Sequence, residues 1–516
     1  MDGNSLSYII ERLTNRRTYL EWNRAIMGPI SDELGLEQGG SSAGELYKIY
    51  NNELFNTTNE SELGIPLAKN LIISSVGQAD DCVVSANRIS NLSNILLLTK
   101  DYCNKYCVTL CEEKTKLLKI TNRSEETLEQ MNPIVINDKQ IEFEDSAEHV
   151  GVIRSKEGNL PHLMNRFSAH RRALAAVLFT GMAQKHRGNP TVGLKLEQIY
   201  GTPVLMSGLA SIVLLPTELT LLEQHHKNTC QNIQKLLPNT PASVVYFLGG
   251  TLPGTALLHL KQLAIFGMVT RLNDDPLNIH ARKMLTEAKK SSRSWFIQIR
   301  EICLQYELPH PLKIMDNPPR KDDYKKIVKS HVVSYWENQL RGEASVLKSL
   351  AFFKPNFMSL TTPHPIWTTT NSNPHEVSKA VQQARFLSGR YRTNSLIKHW
   401  NPGCQGLCSA PDCDNITETV EHILLDCQAY AKQRHLLLKM WLATKIPEVY
   451  PLVLQALSSS KDYLLQFILD CSSLPKVISS RQLYGDIIHR EIFRLTRTWC
   501  FVLHRERMRL LGRWSN

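Results

Sequence analysis

No stretch of this sequence is apolar for long enough to span a bilayer. The two most apolar windows, TPVLMSGLASIVLLP and ASVVYFLGGTLPGTALL, are broken by Gly, Pro or Ser. Both fall short of the ~20 residues that a spanning helix needs. Nothing resembling a secretory signal opens the chain. Its twelve cysteines therefore point to a reduced intracellular setting, where useful thiols bind metal rather than pair. On that reading the sequons at Asn56 and Asn122 are chance matches. No internal repeat is visible. Acidic charge is also short: 60 Lys and Arg face 49 Asp and Glu, for a net charge of +11. That excess suggests a polyanionic partner, nucleic acid before a membrane. Hydrophobic content of 42% and charged content of 21% are those of an ordinary globular protein. The length leaves room for about three domains.

Residues 1 to about 155 mix helix and strand. SYIIERLTNRRTYLEW reads as a helix running into a strand, and LEQGGSSAGELYKIYNNELF as a glycine loop opening a helix. SNLSNILLLTKDYCNKY is an amphipathic helix, with Leu92, Ile95, Leu96 and Leu98 at helical spacing. CVTLCEEKTKLLKI is expected to return to strand, and EHVGVIRS to form a short strand pair or turn. Cys103, Cys107 and Cys111, with no histidine nearby, are expected to be buried small residues. From roughly residue 160 the pattern turns helical. His225 and His226 are expected to face solvent on a helix. MDNPPRKDDYKKIVKSH reads as a linker entering a helix, and SLTTPHPIWTTTNSNPHE as a loop or boundary. In the C-terminal run, Arg490, Arg494, Arg497, Arg505, Arg507 and Arg509 interleave with Phe493, Trp499 and Phe501. This is either a solvated basic helix over a packed core or a nucleic-acid contact. KKSSRSWFIQIR is open to the same two readings.

Two constellations carry chemistry. In VGQADDCVV, Asp80 and Asp81 sit between LIISSV and CVVSA, runs that look like buried strands. Two acids at the tip of a hairpin emerging from a core suit hard divalent cations, which take oxygen ligands. The second is CQGLCSAPDCDNITETVEHILLDC, where Cys408, Cys413, His422 and Cys427 give C-x4-C-x8-H-x4-C. Three thiolates and an imidazole suit tetrahedral zinc. Cys404 is a spare that could replace Cys408.

Gln38, Gly39 and Gly40 before a helix, the Asp-Asp hairpin, Lys114, and His149, Val150, Gly151 and Val152 follow one another in an order that resembles a reverse-transcriptase palm. The likeness is to non-LTR (LINE-type) retrotransposon proteins, most specifically at 36–118 and 385–435. In that family an aromatic residue usually stands where Gln78 stands here. RFLSGRYRTNSLIKHW and the cysteine cluster resemble the zinc-knuckle region of the same proteins. The resemblance implies an α+β palm fragment (1–158), a helical thumb (159–262), a helical connector with a basic linker (263–384), a CCHC knuckle (385–435) and a basic helical tail (436–516), predominantly α overall. It implies nucleotidyl transfer by two Mg²⁺ ions, with Asp80 as metal ligand, Asp81 as its support and Lys114 near the leaving group. Gln38, Gly39 and Gly40 would shape the nucleotide and template pocket. His149 to Val152 would hold the primer end. Zn²⁺, deoxynucleoside triphosphates, an RNA template and a DNA primer or target follow, with nuclear work and a cytoplasmic ribonucleoprotein. The family's first palm motif supplies a further metal-binding aspartate upstream, for which Asp2 is a poor candidate. Met1 is therefore expected to fall inside the polymerase domain, and weak or absent polymerisation follows. The rival expectation is a non-catalytic nucleic-acid-binding protein with a degenerate palm.

Overall fold

The computed structural model describes residues 7, 10, 11, 14, 16–32, 43–120, 134–137, 139–178, 188–273, 275–289, 293–411 and 413–512. Two units divide the chain, residues 1–158 and 159–516. Helices dominate both the element order and the core, so the chain is predominantly α.

In the first unit, helix Ala43–Glu60 packs on helix Ile89–Tyr106 through Leu54, Tyr102 and Cys103. The Tyr102 hydroxyl donates to the Tyr50 carbonyl at 2.9 Å. Around this pair the strands form two-stranded pairs only; among the described residues no sheet reaches three strands. Arg16–Trp22 pairs with Ala25–Asp32, and that hairpin leaves Trp22 78% and Ile26 71% exposed. Cys103 is buried, but Cys107 and Cys111 are exposed, contrary to the burial expected of all three. Cys107 ends its helix in a left-handed conformation, φ 55°, which turns it away from the packed face. The strand expected over CVTLCEEKTKLLKI shrinks to Leu117–Leu118, paired in parallel with Phe143–Glu144.

In the second unit one apolar core runs from Leu194 to Leu503, and a second gathers Ala256 to Val332. The segments expected as thumb, connector, knuckle and tail thus contribute to shared cores. Ala242–Gly249 is buried at all but its first residue. It ends at Gly250, φ 60°, where a Cβ would overlap the backbone of Thr362 and Pro363. That left-handed cap needs glycine both for its backbone and for the close approach. SLTTPHPIWTTTNSNPHE is no boundary: Trp367 is fully buried, and its indole donates to Gln234 Oε1 at 3.1 Å.

The C-terminal run is a basic helix over a packed core, with Arg490, Arg494, Arg505 and Arg509 exposed. Helix Ile487–Leu510 buries Ile492, Phe493, Leu495, Trp499 and Leu503. Two of its arginines are buried with them. Arg497 donates to the carbonyls of Phe493 (2.8 Å) and Thr369 (3.1 Å) and to the Thr370 hydroxyl. Phe493 and Trp499 face the core rather than alternating with cations on a free surface. Among the described residues no single helix is long and apolar enough to cross a membrane.

Candidate metal centre and the acidic hairpin

The four ligands of the expected zinc site come together. One donor atom each from Cys408, Cys413, His422 and Cys427 lies within 4.8 Å of the others. The Sγ–Sγ separations are 3.9 Å for Cys408–Cys427 and 3.6 Å for Cys413–Cys427. Zinc–sulfur bonds of ~2.3 Å in a tetrahedron set sulfurs roughly 3.8 Å apart, so the cage already has the right size. Cys404 lies outside it, its thiol donating to the Asn394 carbonyl at 3.5 Å.

Local backbone explains the convergence. A bridge between Leu407 and Thr417 carries Cys408, whose N–H donates to the Ile416 carbonyl at 2.8 Å. A turn closed by Cys413 N–H to Ala410 O (3.1 Å) presents Cys413. His422 and Cys427 are five residues apart, which on an α-helix would put them on different faces. A π-helical turn over His422–Asp426, closed by Cys427 N–H to His422 O at 2.8 Å, brings both to one side.

The donor chemistry fits a metal such as zinc. His422 is buried, and its Nε2 has no hydrogen-bond partner among the described residues. Without a metal, burial pushes the Cys427 thiol up to about 12, raises Cys408 and lowers His422. A bound cation would hold the thiolates and accept the imidazole lone pair. Binding then releases protons.

Around the ligands stands a polar shell that spacing alone did not reveal. Arg434 donates to the Cys427 carbonyl at 2.7 Å. Glu418, four residues before His422, accepts two bonds from Arg507, at 2.9 and 2.7 Å, and one from the Asn394 N–H at 2.6 Å. Glu418 and Arg507 are both buried, so a fully desolvated, bidentate ion pair ties the metal loop to helix Ile487–Leu510. Trp499 adds a bond to the Leu424 carbonyl at 3.2 Å. The pairing of Arg507 with Glu418, 89 residues away in sequence, carried no local signal.

The acidic hairpin forms as a turn between Ser75–Gln78 and Asp81–Val84, with Gln78 opposite Asp81. Ala79, φ 54°, and Asp80 make the tip. Helix Ala43–Glu60 holds it: Asn59 Oδ1 accepts from the N–H groups of Ser74 (2.7 Å) and Ser75 (3.0 Å), and Thr58 Oγ1 meets Ser75 Oγ at 2.5 Å. A Cβ at Gly77 would overlap the Phe55 ring. The flanking strands are not buried as expected. Only Ser75 is, while Val76, Gly77, Gln78, Asp81 and Cys82 are exposed; among the described residues no third strand joins the pair. Among the described residues the two aspartates belong to no cluster of three or more ligating side chains. Gln38, Gly39 and Gly40 lie outside the described residues.

Lys114 is exposed in a turn, not on a strand, since the pairing begins only at Leu117. His149 and Val152 end the strands of a hairpin whose two-residue turn, Val150 (φ 49°) and Gly151 (φ 72°), has the primed geometry favoured by strand twist.

His225 and His226 correct a further expectation. His226 is buried and His225 half-buried, because the helix face they share packs on His170 and Glu197. His170 Nδ1 lies 2.9 Å from His225 Nε2, and Glu197 Oε1 lies 3.6 and 3.7 Å from Nε2 of His170 and His226. Burial raises the Glu197 carboxyl, but the two imidazoles and the Thr202 hydroxyl outweigh it and hold the group below its ordinary value. Another set, Ser472, His364 and Asp470, has the residue types of a nucleophilic triad and the wrong protons. His364 Nδ1 accepts from the Ile366 N–H, so its proton is on Nε2, which faces Asp470 (3.4 Å) and Ser472 (3.4 Å). Ser472 itself donates to Asp470 at 2.6 Å. No basic nitrogen faces the hydroxyl, and the set is structural. A scan against models of protein families finds none that matches this chain, and a search of curated proteins finds no match either.

Proposed function

We propose that this chain is a nucleic-acid-binding portion of a LINE-type reverse transcriptase, with zinc in the Cys408–Cys413–His422–Cys427 cage and a palm that is catalytically incomplete. The observation that carries the reading is the cage itself, a preformed Cys3His donor set in a chain of net charge +11. The acidic tip seated on the helix that follows the glycine loop supports the palm assignment. Asp80 and Asp81 would be the Mg²⁺ ligands, with the RNA template and DNA primer approaching their exposed side. Two-ion transfer needs carboxylates from more than one strand, and the described residues bring no third ligand to this pair. A missing ligand set removes several kcal/mol of transition-state stabilisation, with ~1.4 kcal/mol per tenfold in rate. Binding therefore survives where extension does not, and the site of action is nuclear.

Primer extension on an RNA template with Mg²⁺, run beside a salt-titrated binding assay and metal analysis, tests this. One zinc per chain, lost in Cys413→Ser/His422→Ala, salt-sensitive binding and little extension are expected. Robust extension abolished by Asp80→Ala would overturn the incomplete palm. Absence of zinc and of binding would overturn the reading altogether.

A further inference from the structure

Two cavities open side by side in the second unit, and none of the four metal ligands lines either of them. One, of about 300 Å³, is walled by Phe352, Phe386 and Tyr391, carries the Thr393 and Ser395 hydroxyls, and reaches Thr419, three residues before His422. That volume sits at the small end of ligand pockets and suits a single nucleoside. The other, of about 330 Å³, is lined by Arg341, Lys354 and Phe357. Lys348 lines both, so the two are consecutive stations on one path.

Neither cavity is lined by an Asp or Glu side chain among the described residues. Arg341 is occupied by Glu337 at 2.9 Å and by the carbonyls of Pro355 and Met358. The cations left for a ligand are Lys348, which is exposed, and Lys354, which spends one proton on the Ala351 carbonyl. Phe357 stands 59% exposed at the outer end. Two ammonium groups beside the uncovered ring of Phe357, with a base-sized cavity next to them, match a strand whose phosphates and unstacked bases alternate in the same way. A duplex keeps its base faces stacked and offers the rings nothing.

We propose that single-stranded nucleic acid crosses this pair of cavities. One base enters the pocket lined by Phe352 and Tyr391, the phosphate beside it rests on Lys348 and Lys354, and the next base stacks on Phe357. The proposal rests on the nucleic-acid-binding reading above and names the form of the ligand and its path.

The test uses the zinc-loaded full chain with fluorescein-labelled oligouridylate and oligothymidylate, which separate RNA from DNA, and a duplex of matched length. Lys348→Ala should weaken single-strand binding about tenfold and lower the slope of log affinity against log salt by about one. Phe357→Ala should weaken it about tenfold with the slope unchanged, and should leave duplex binding alone. Photocross-linking of a 4-thiouridine-substituted oligouridylate should label the peptide spanning 348–357. Both side chains are exposed, so both variants should melt as the parent does. If the parent binds single strands and both variants bind equally well, or the cross-link maps elsewhere, this path is wrong while the proposed function stands. If the parent binds no nucleic acid at all, both are wrong.

Discussion

Arg507 and Arg505 lie two positions apart on one helix and differ in everything that decides energy. Arg507 is buried in a bidentate pair with Glu418, whereas Arg505 is exposed. Removing one partner of a buried pair strands the other charge, at a cost of about 3–5 kcal/mol. Arg507→Ala should therefore lower the denaturant midpoint by that equivalent, while Arg505→Ala stays within about 0.5 kcal/mol of the parent. Equal midpoints for the two variants would remove the pair from the argument. Buried imidazoles give a second residue-scale prediction. Burial depresses His225, His259, His489 and His504 to about 4, against about 6.5 in an unfolded chain. Between those values the unfolded chain binds more protons, so stability is complete above pH ~6.5 and falls as pH drops toward 4. Thermal melts from pH 7 to 5 should show a falling Tm. His259 Nδ1 accepts from Tyr306, whose hydroxyl is 2.8 Å away and accepts in turn from Trp336 at 3.0 Å. His259→Asn keeps an acceptor there without a titrating group, and should flatten the slope. A Tm that does not change over this range would contradict the assignment of these histidines as neutral.

At the scale of elements, the cap of helix Ala242–Gly249 is the most exacting joint. Gly250→Ala should cost about 1–2 kcal/mol for the left-handed backbone alone. It should cost more because Thr362 and Pro363 must move, and His364, whose N–H donates to Leu248 O at 3.0 Å, moves with them. A chemical-denaturation midpoint equal to the parent's would show that the joint gives way freely. Elements also show why some residues were legible and others were not. The metal ligands could be found because their residue types and local spacing express the chemistry directly, and the Asp80 tip because turn residues punctuate two apolar runs. Burial was not legible in the same way. Val76 and Cys82 look like core residues in a short window, but whether a strand has a second neighbour is decided by chain far away. The same holds for His226, buried by His170 and Glu197 from other helices, and for Trp367, whose Pro- and Thr-rich surroundings read as loop. The π-turn at His422–Asp426 has no sequence signature that separates it from an α-turn.

For the whole molecule, the contrast is between two units with very different amounts of core. Residues 159–516 are organised around two large apolar clusters. The described residues of 1–158 hold a small cluster around Leu54, Tyr102 and Cys103 and leave Tyr19, Trp22, Ile26 and Met27 largely exposed. Isolated two-stranded hairpins are marginal in water. Amide hydrogen exchange should therefore be fast across 16–32 and 65–84 and slowest in Ile487–Leu510 and Ala242–Gly249. Uniform protection across both units would contradict the contrast. The basic composition suggested a polyanion-binding surface, but not that two arginines would lie inside. Arg507 is balanced inside by Glu418, whereas Arg497 is held by carbonyls and a hydroxyl and takes one positive charge out of reach of a ligand.

The central position of helix Ile487–Leu510 has a consequence in time. The helix is synthesised after Trp367, Leu424, Trp441 and Phe467, with which it shares the core. At ordinary elongation rates, the earlier helices of this unit wait on the order of half a minute before the element that covers them leaves the ribosome. During that interval their apolar faces are open to chaperones or to neighbouring nascent chains. A stop codon near position 486 would make the interval permanent. Loss of helix Ile487–Leu510 should therefore yield insoluble protein rather than a shorter version of the same fold.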